Sequence, residues 1–111
     1  MDRTALEERL HALDAQLARL DADAASLREA RAEATADDEH DPEGSTLSGE
    51  WQRVEALRAG AERERVDVVA ALVRMDEGTY GVCVRCGNPI PAARLEARPM
   101  ATMCVACASA A

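Results

Sequence analysis

A heptad rhythm, apolar at every step but Arg31, runs along the first third of the chain at alternating steps of four and three: Leu6, Leu10, Leu13, Leu17, Leu20, Ala24, Leu27, Arg31 and Ala34. That rhythm lays a narrow stripe along an α-helix, the pattern of a coiled-coil seam. It returns as Leu47, Trp51, Val54, Arg58, Ala61, Arg65, Val68, Leu72 and Met75. Residues 35–46 carry no such stripe and hold Pro42, Gly44 and clustered acids, which predicts a turn. Two such helices joined by a short connection are antiparallel neighbours.

Laying one stripe on the other pairs Leu6 with Met75, Leu10 with Leu72, Leu13 with Val68 and Leu27 with Val54. Arg58 falls opposite Ala24, where its stem can cover apolar surface while the head reaches water. Arg31 falls opposite Trp51, which predicts a cation–π contact near the turn. Helices of roughly 28–31 residues at 1.5 Å per residue make a hairpin about 40–46 Å long. The second helix has two candidate starts: Asp41-Pro42 offers a cap and a first-turn proline, and Ser48 a later cap. Regular helix is expected by Leu47, and Gly78 is placed to end it near Glu77.

Composition supports helices over sheets. The 111 residues suit one ordinary domain at most, contain no Phe, and have Trp51 and Tyr80 as their only aromatics, so a large aromatic core is excluded. Alanine is abundant, which favours helices with small seams. The fold class expected is therefore all-α: a long antiparallel coiled-coil hairpin over residues 1–78, then a small module with short helices over 79–111.

Charge changes the picture at one place. The net charge is −8, and residues 35–50 hold six acids and no base. A chain this acidic lacks the basic footprint that bare nucleic acid or an anionic lipid surface requires, so neither is an expected partner. Met1-Asp2-Arg3-Thr4 leads straight into charged sequence without a secretory pattern, and the apolar run 68–73 is too short to span a bilayer. A soluble, cytoplasmic protein is expected.

The last third carries the chemistry. Cys83-Val84-Arg85-Cys86-Gly87 is followed by Cys104-Val105-Ala106-Cys107. Two C-x-x-C pairs at this separation present four thiolates to one tetrahedral ion and leave no open position, which describes a structural zinc site. Gly87 suits the tight turn of the first pair. Disulfides would need an oxidising compartment, and a redox pair of the thioredoxin type would need a βαβ setting that this pattern lacks. A segment this short cannot build its own core, so metal ligation substitutes for one. His40, among the tip acids, reads as solvated because Pro42 stands where a calcium loop wants glycine. His11 reads as surface.

The run from Gly78-Thr79-Tyr80-Gly81 to Cys107, with Ile90, Arg94 and Pro99 at fixed steps between the cysteine pairs and the linking stretch Arg94-Leu95-Glu96-Ala97-Arg98-Pro99, resembles the DksA/TraR family of C4 zinc-finger transcription regulators. The preceding heptad hairpin matches that family's architecture, so the resemblance covers nearly the whole chain. Val84 departs from it, since many members have an acid or Ser there. The resemblance implies a non-enzymatic protein that binds RNA polymerase core without needing DNA. Its coiled coil would enter the secondary channel and carry an acidic tip, here Asp37, Asp38, Glu39, Asp41 and Glu43, towards the catalytic centre to modulate initiation. Gly44 stands where the better-known members place the second tip acid. Of the basic positions the family offers to guanosine tetraphosphate, those here are Asp67, Ala108 and Arg98. Only Arg98 is a cation, so weak or no nucleotide binding is expected. No long terminal helix is expected beyond Ala111.

Arg94 and Arg98 are expected either to brace the finger by pairing with acids such as Asp76, Glu77 or Glu96, or to contact a partner. Other classes consistent with the residues are a zinc-finger and coiled-coil adaptor, a redox-sensing zinc protein and, less well, a zinc ribbon that binds nucleic acid.

Overall fold

The computed structural model describes the backbone of residues 2–37 and 43–110, and side chains within those spans apart from 34–37 and 43–46. Among the described residues four helices follow in order: α1 Arg3–Asp37, α2 Glu43–Glu77, α3 Ala92–Ala97 and α4 Val105–Ala110. Among the described residues there is no strand, and an isolated antiparallel bridge joins Val82 to Pro89. No helix among them is long and apolar enough to cross a membrane. The all-α expectation is met.

Helices α1 and α2 are each 35 residues long, more than the stripe alone predicted. Helical hydrogen bonding continues past the last seam residue because nothing in Ala34, Thr35 and Ala36 interrupts it. The start of α2 at Glu43 matches the earlier of the two candidates, directly after Asp41-Pro42. Of the expected tip, Asp38, Glu39 and Asp41 lie outside the described residues, as do His40 and Pro42; Asp37 closes α1 and Glu43 opens α2.

The chain forms two compact units. One comprises residues 12–65. Its core gathers Leu20, Ala24, Leu27 and Val54, with Leu47 and Trp51 packed against it. Leu27 and Val54 thus share the cluster that the stripe register assigned them. Burial is not even along the stripe. Leu13, Leu20, Leu27, Val54 and Ala61, spaced by sevens within each helix, are buried, whereas Leu17, Trp51, Arg58 and Arg65 are only half-buried.

Those half-buried positions of α2 turn outward to a flank of α1. Arg65 Nε donates to Asp14 Oδ1 at 2.6 Å and Arg58 Nε to Asp21 Oδ1 at 2.7 Å. The guanidinium over Trp51 is that of Arg28, 5.7 Å from the ring centroid, one turn before the expected Arg31. Asp14, Asp21 and Arg28 are a heptad ladder, and Trp51, Arg58 and Arg65 answer it in reverse order, which makes the pairing antiparallel. The side chains of a helix lean towards its N-terminus, so groups meet at an offset that counting along the stripe does not include. Exposed ion pairs of this kind specify register more than they stabilise.

The other unit comprises residues 1–11 and 66–111. It opens with Asp2 capping α1, its Oδ1 accepting from the Ala5 amide at 2.8 Å. Leu6, Val68, Ala71, Cys83 and Ile90 are its buried residues, and Arg3 pairs with Asp76 across the two helices. The finger therefore shares one compact unit with helix ends from α1 and α2.

Helix α2 ends in a Schellman turn: the Thr79 amide donates to Arg74 O at 2.8 Å and the Gly78 amide to Met75 O at 3.3 Å. Gly78 sits at φ 76°, as its expected role as terminator requires. A Cβ there would meet nothing within 4 Å. Gly78→Ala is therefore expected to cost about 1 kcal/mol from backbone strain alone, read as a lower thermal midpoint of the zinc-loaded chain. An unchanged midpoint would show that the left-handed turn does not contribute.

Candidate metal centre

The first cysteine pair lies on a tight hairpin. The Ile90 amide donates to Gly81 O at 2.7 Å, and the Cys83 amide to Asn88 O at 2.9 Å. The Gly87 amide returns to Cys83 O at 2.9 Å, with Gly87 at φ 76°, the left-handed conformation expected of it. This places Cys86 one turn from Cys83. The second pair spans the start of α4, where the Ala108 amide donates to Cys104 O at 2.9 Å and the first turn carries Cys107 back towards Cys104. A third contact, Val84 amide to Thr102 O at 2.9 Å, joins the two loops.

The result brings together the sulfurs that the spacing predicted. The Sγ atoms of Cys83, Cys86, Cys104 and Cys107 all lie within 4.8 Å of one another, and Cys86 and Cys104 are 3.9 Å apart. Zinc–sulfur bonds of about 2.3 Å at tetrahedral angles separate sulfurs by about 3.8 Å, so the spacing fits one zinc ion. It is far beyond the about 2.05 Å of a disulfide. Four thiolates leave no position for water or substrate, which makes the centre structural. Cys83 is 1% exposed, whereas Cys86 is exposed and the second pair half-buried.

The thiols differ in acidity before metal binds. Donation from the backbone N–H groups of Cys86 and then Cys104, working against burial, pulls Cys83 down to about 6. Hydrogen bonding with the Cys104 sulfur, added to by burial, pushes Cys107 up to about 12. Zinc needs thiolates, so at neutral pH it must displace the Cys107 proton but not that of Cys83. Apparent zinc affinity is thus expected to rise about tenfold per pH unit from Cys107 alone, and to fall more steeply once pH drops below about 6. Chelator competition across pH 5.5–8.5 measures this; a flat profile would contradict it.

Around the cluster, Arg94 braces the finger differently from expectation. Its Nε donates to Met103 O at 2.8 Å, so its partner here is a carbonyl next to a ligand instead of an acid on a helix. Asp76, one of the acids expected to receive it, is paired with Arg3. Two contacts were not anticipated. Tyr80 Oη donates to Pro99 O at 2.8 Å, and Arg85 Nη1 to Cys107 O at 3.3 Å. Tyr80 could have been found, because a half-buried phenol seeks an acceptor; burial pushes its pKa above the ordinary value and keeps it a donor. Arg85 gave no such signal, since its acceptor is a main-chain atom 22 residues away. Arg98 is exposed and lines a pocket of about 460 Å³ together with Asp67, Arg94 and Met103, so two of the three positions weighed for a nucleotide meet there; Ala108 is not in its wall.

Residues 78–111 match the model of the prokaryotic DksA/TraR C4-type zinc finger. Over 60 residues, 52% of this chain, the sequence is 43% identical to the RNA polymerase-binding transcription factor DksA of Caulobacter vibrioides. It is 51% identical over 45 residues, 40% of this chain, to the general stress protein 16O of Bacillus subtilis. These matches span only 42% and 28% of the lengths of those two proteins. The fold is that of transcription factor DksA2 from Pseudomonas aeruginosa, with a TM-score of 0.60 at 23% identity, covering 99% of this chain and 84% of that one. The finger match and the sulfur geometry together identify a C4 site for one structural zinc ion.

Proposed function

We propose that this chain, whose residues 78–111 match the DksA/TraR C4 zinc finger, is a DksA/TraR-type non-enzymatic transcription regulator that binds RNA polymerase core in the cytoplasm. The observation that carries the reading is the 43% identity to an RNA polymerase-binding transcription factor, joined to a DksA-like fold over 99% of the chain.

In this reading the zinc finger holds one end of the helical pair and the acids between α1 and α2 do the regulatory work. Residues 35–50 have six acids and no base, so they suit an approach to basic groups and bound divalent ions inside the polymerase. Entry through the secondary channel would bring Asp37, Asp38, Glu39, Asp41 and Glu43 near the catalytic centre. Differential contact with two polymerase states would then shift the stability of promoter complexes. Arg98, exposed and lining the finger's pocket, is the cation that we assign to partner contact. Guanosine tetraphosphate is expected to bind weakly, because Asp67 puts a carboxylate in the same pocket as Arg98 and repels a polyanion.

Co-purification of the zinc-loaded chain with purified core polymerase, without DNA, tests the reading. A stoichiometric complex is expected. Retention on DNA but not on polymerase would replace it with a nucleic-acid-binding ribbon.

A further inference from the structure

Leaving aside the bonds made by the sulfurs, four hydrogen bonds across the finger run one way. Tyr80, Val84, Arg85 and Arg94, all in its first half, are donors; Pro99, Thr102, Met103 and Cys107, all in its second half, offer only main-chain carbonyls. Besides its own helical turn, the second cysteine pair is therefore also held from outside itself. Two of those donors are guanidinium groups, and their acceptors are Cys107 and the residue immediately before Cys104.

Charge points the same way. Residues 83–111 contain Arg85, Arg94 and Arg98 against Glu96 alone. Four thiolates on one Zn²⁺ carry a net charge of about −2, which balances that excess. A guanidinium hydrogen-bonded beside a ligating loop both aims the loop and offsets the charge gathered on the sulfurs. Arg94 is half-buried with a 2.8 Å bond, whereas Arg85 is exposed with a 3.3 Å bond, so Arg94 should contribute more.

We propose that Arg94 and Arg85 are positioning residues of the zinc centre, which clamp the Cys104–Cys107 loop through its main-chain carbonyls and act as its counter-charges. The second pair is then the part of the centre that depends on side chains. The first pair is held by its own hairpin through Gly81, Cys83 and Asn88.

Zinc release from the full chain into an excess of a chromogenic chelator tests this, read beside the order in which the cysteines are alkylated. Arg94→Ala is expected to speed release about ten- to a hundredfold, and Arg85→Ala about threefold. Arg94→Lys, which keeps the charge on a shorter and unforked head, should recover part of the loss. In the alanine variants Cys104 and Cys107 should be alkylated ahead of Cys83 and Cys86, a selectivity that general loosening of the finger would not produce. Release within twofold of the parent chain in both alanine variants would overturn the proposal, as would alkylation of all four cysteines in step. If Arg94→Ala fails to fold, Arg94→Lys and Arg85→Ala carry the same two readouts.

Discussion

Stripping zinc from the folded chain is expected to unfold the finger and leave the unit at residues 12–65 helical. The finger contributes only Cys83 and Ile90 to the buried residues of its own unit, and one of those is a ligand. Two residues make too small a core to hold residues 79–110 without the metal. Zinc binding to a C4 site supplies an apparent 10–16 kcal/mol at neutral pH, roughly, and this is folding free energy. The core at Leu20, Ala24, Leu27 and Val54 contains no residue of the finger and takes nothing from the metal. Hydrogen exchange before and after chelation distinguishes the two units. Amides of Cys83, Val84, Gly87, Ile90 and Ala108, all hydrogen-bonded within the finger, should lose protection, while those of residues 13–33 keep it. Cys104→Ser should reproduce the chelated pattern. Protection retained in both regions would show that the finger folds without its ion.

The second large effect concerns the acids between α1 and α2. Replacing Asp37, Asp38 and Asp41 by Asn and Glu39 and Glu43 by Gln is expected to reduce the effect on transcription initiation by about tenfold or more, since charge complementarity in a confined site acts at that scale. Helical content should not fall, because Asn and Gln differ little from Asp and Glu in helix propensity. Transcription assays and polymerase binding need to be measured separately on the same variant. Initiation altered as strongly as by the parent chain, with the helices intact, would remove the regulatory role from these acids. Loss of helix would instead mean that they hold the turn together.

The two parts of the molecule differ in how far they could be read from residues alone. The zinc centre was legible because four thiolates have one common chemical use at this spacing, and Gly87 marks the turn that brings the first two together. The helical pair was legible because leucines at four-and-three steps have one geometric use. What periodicity does not carry is depth. It treated Leu13 and Leu17 alike, yet the former is buried and the latter half-buried. It also placed Arg58 and Arg65 on the stripe without their partners. Asp21 and Asp14 become visible only when the lean of side chains along each helix is known. The braces of the finger were less legible still, because Arg85, Arg94 and Tyr80 bond to carbonyls, which every residue possesses. The expectation that Arg94 would find an acid followed from charge alone and missed the nearer main-chain oxygen.

Under the function proposed, a zinc-anchored helical pair presents its acids to the interior of RNA polymerase. A photo-crosslinking residue at position 41, in the zinc-loaded chain bound to core polymerase, measures this most directly. Crosslinks are expected on the walls of the secondary channel, close to the catalytic centre. Crosslinks confined to the outer surface of the polymerase would contradict it.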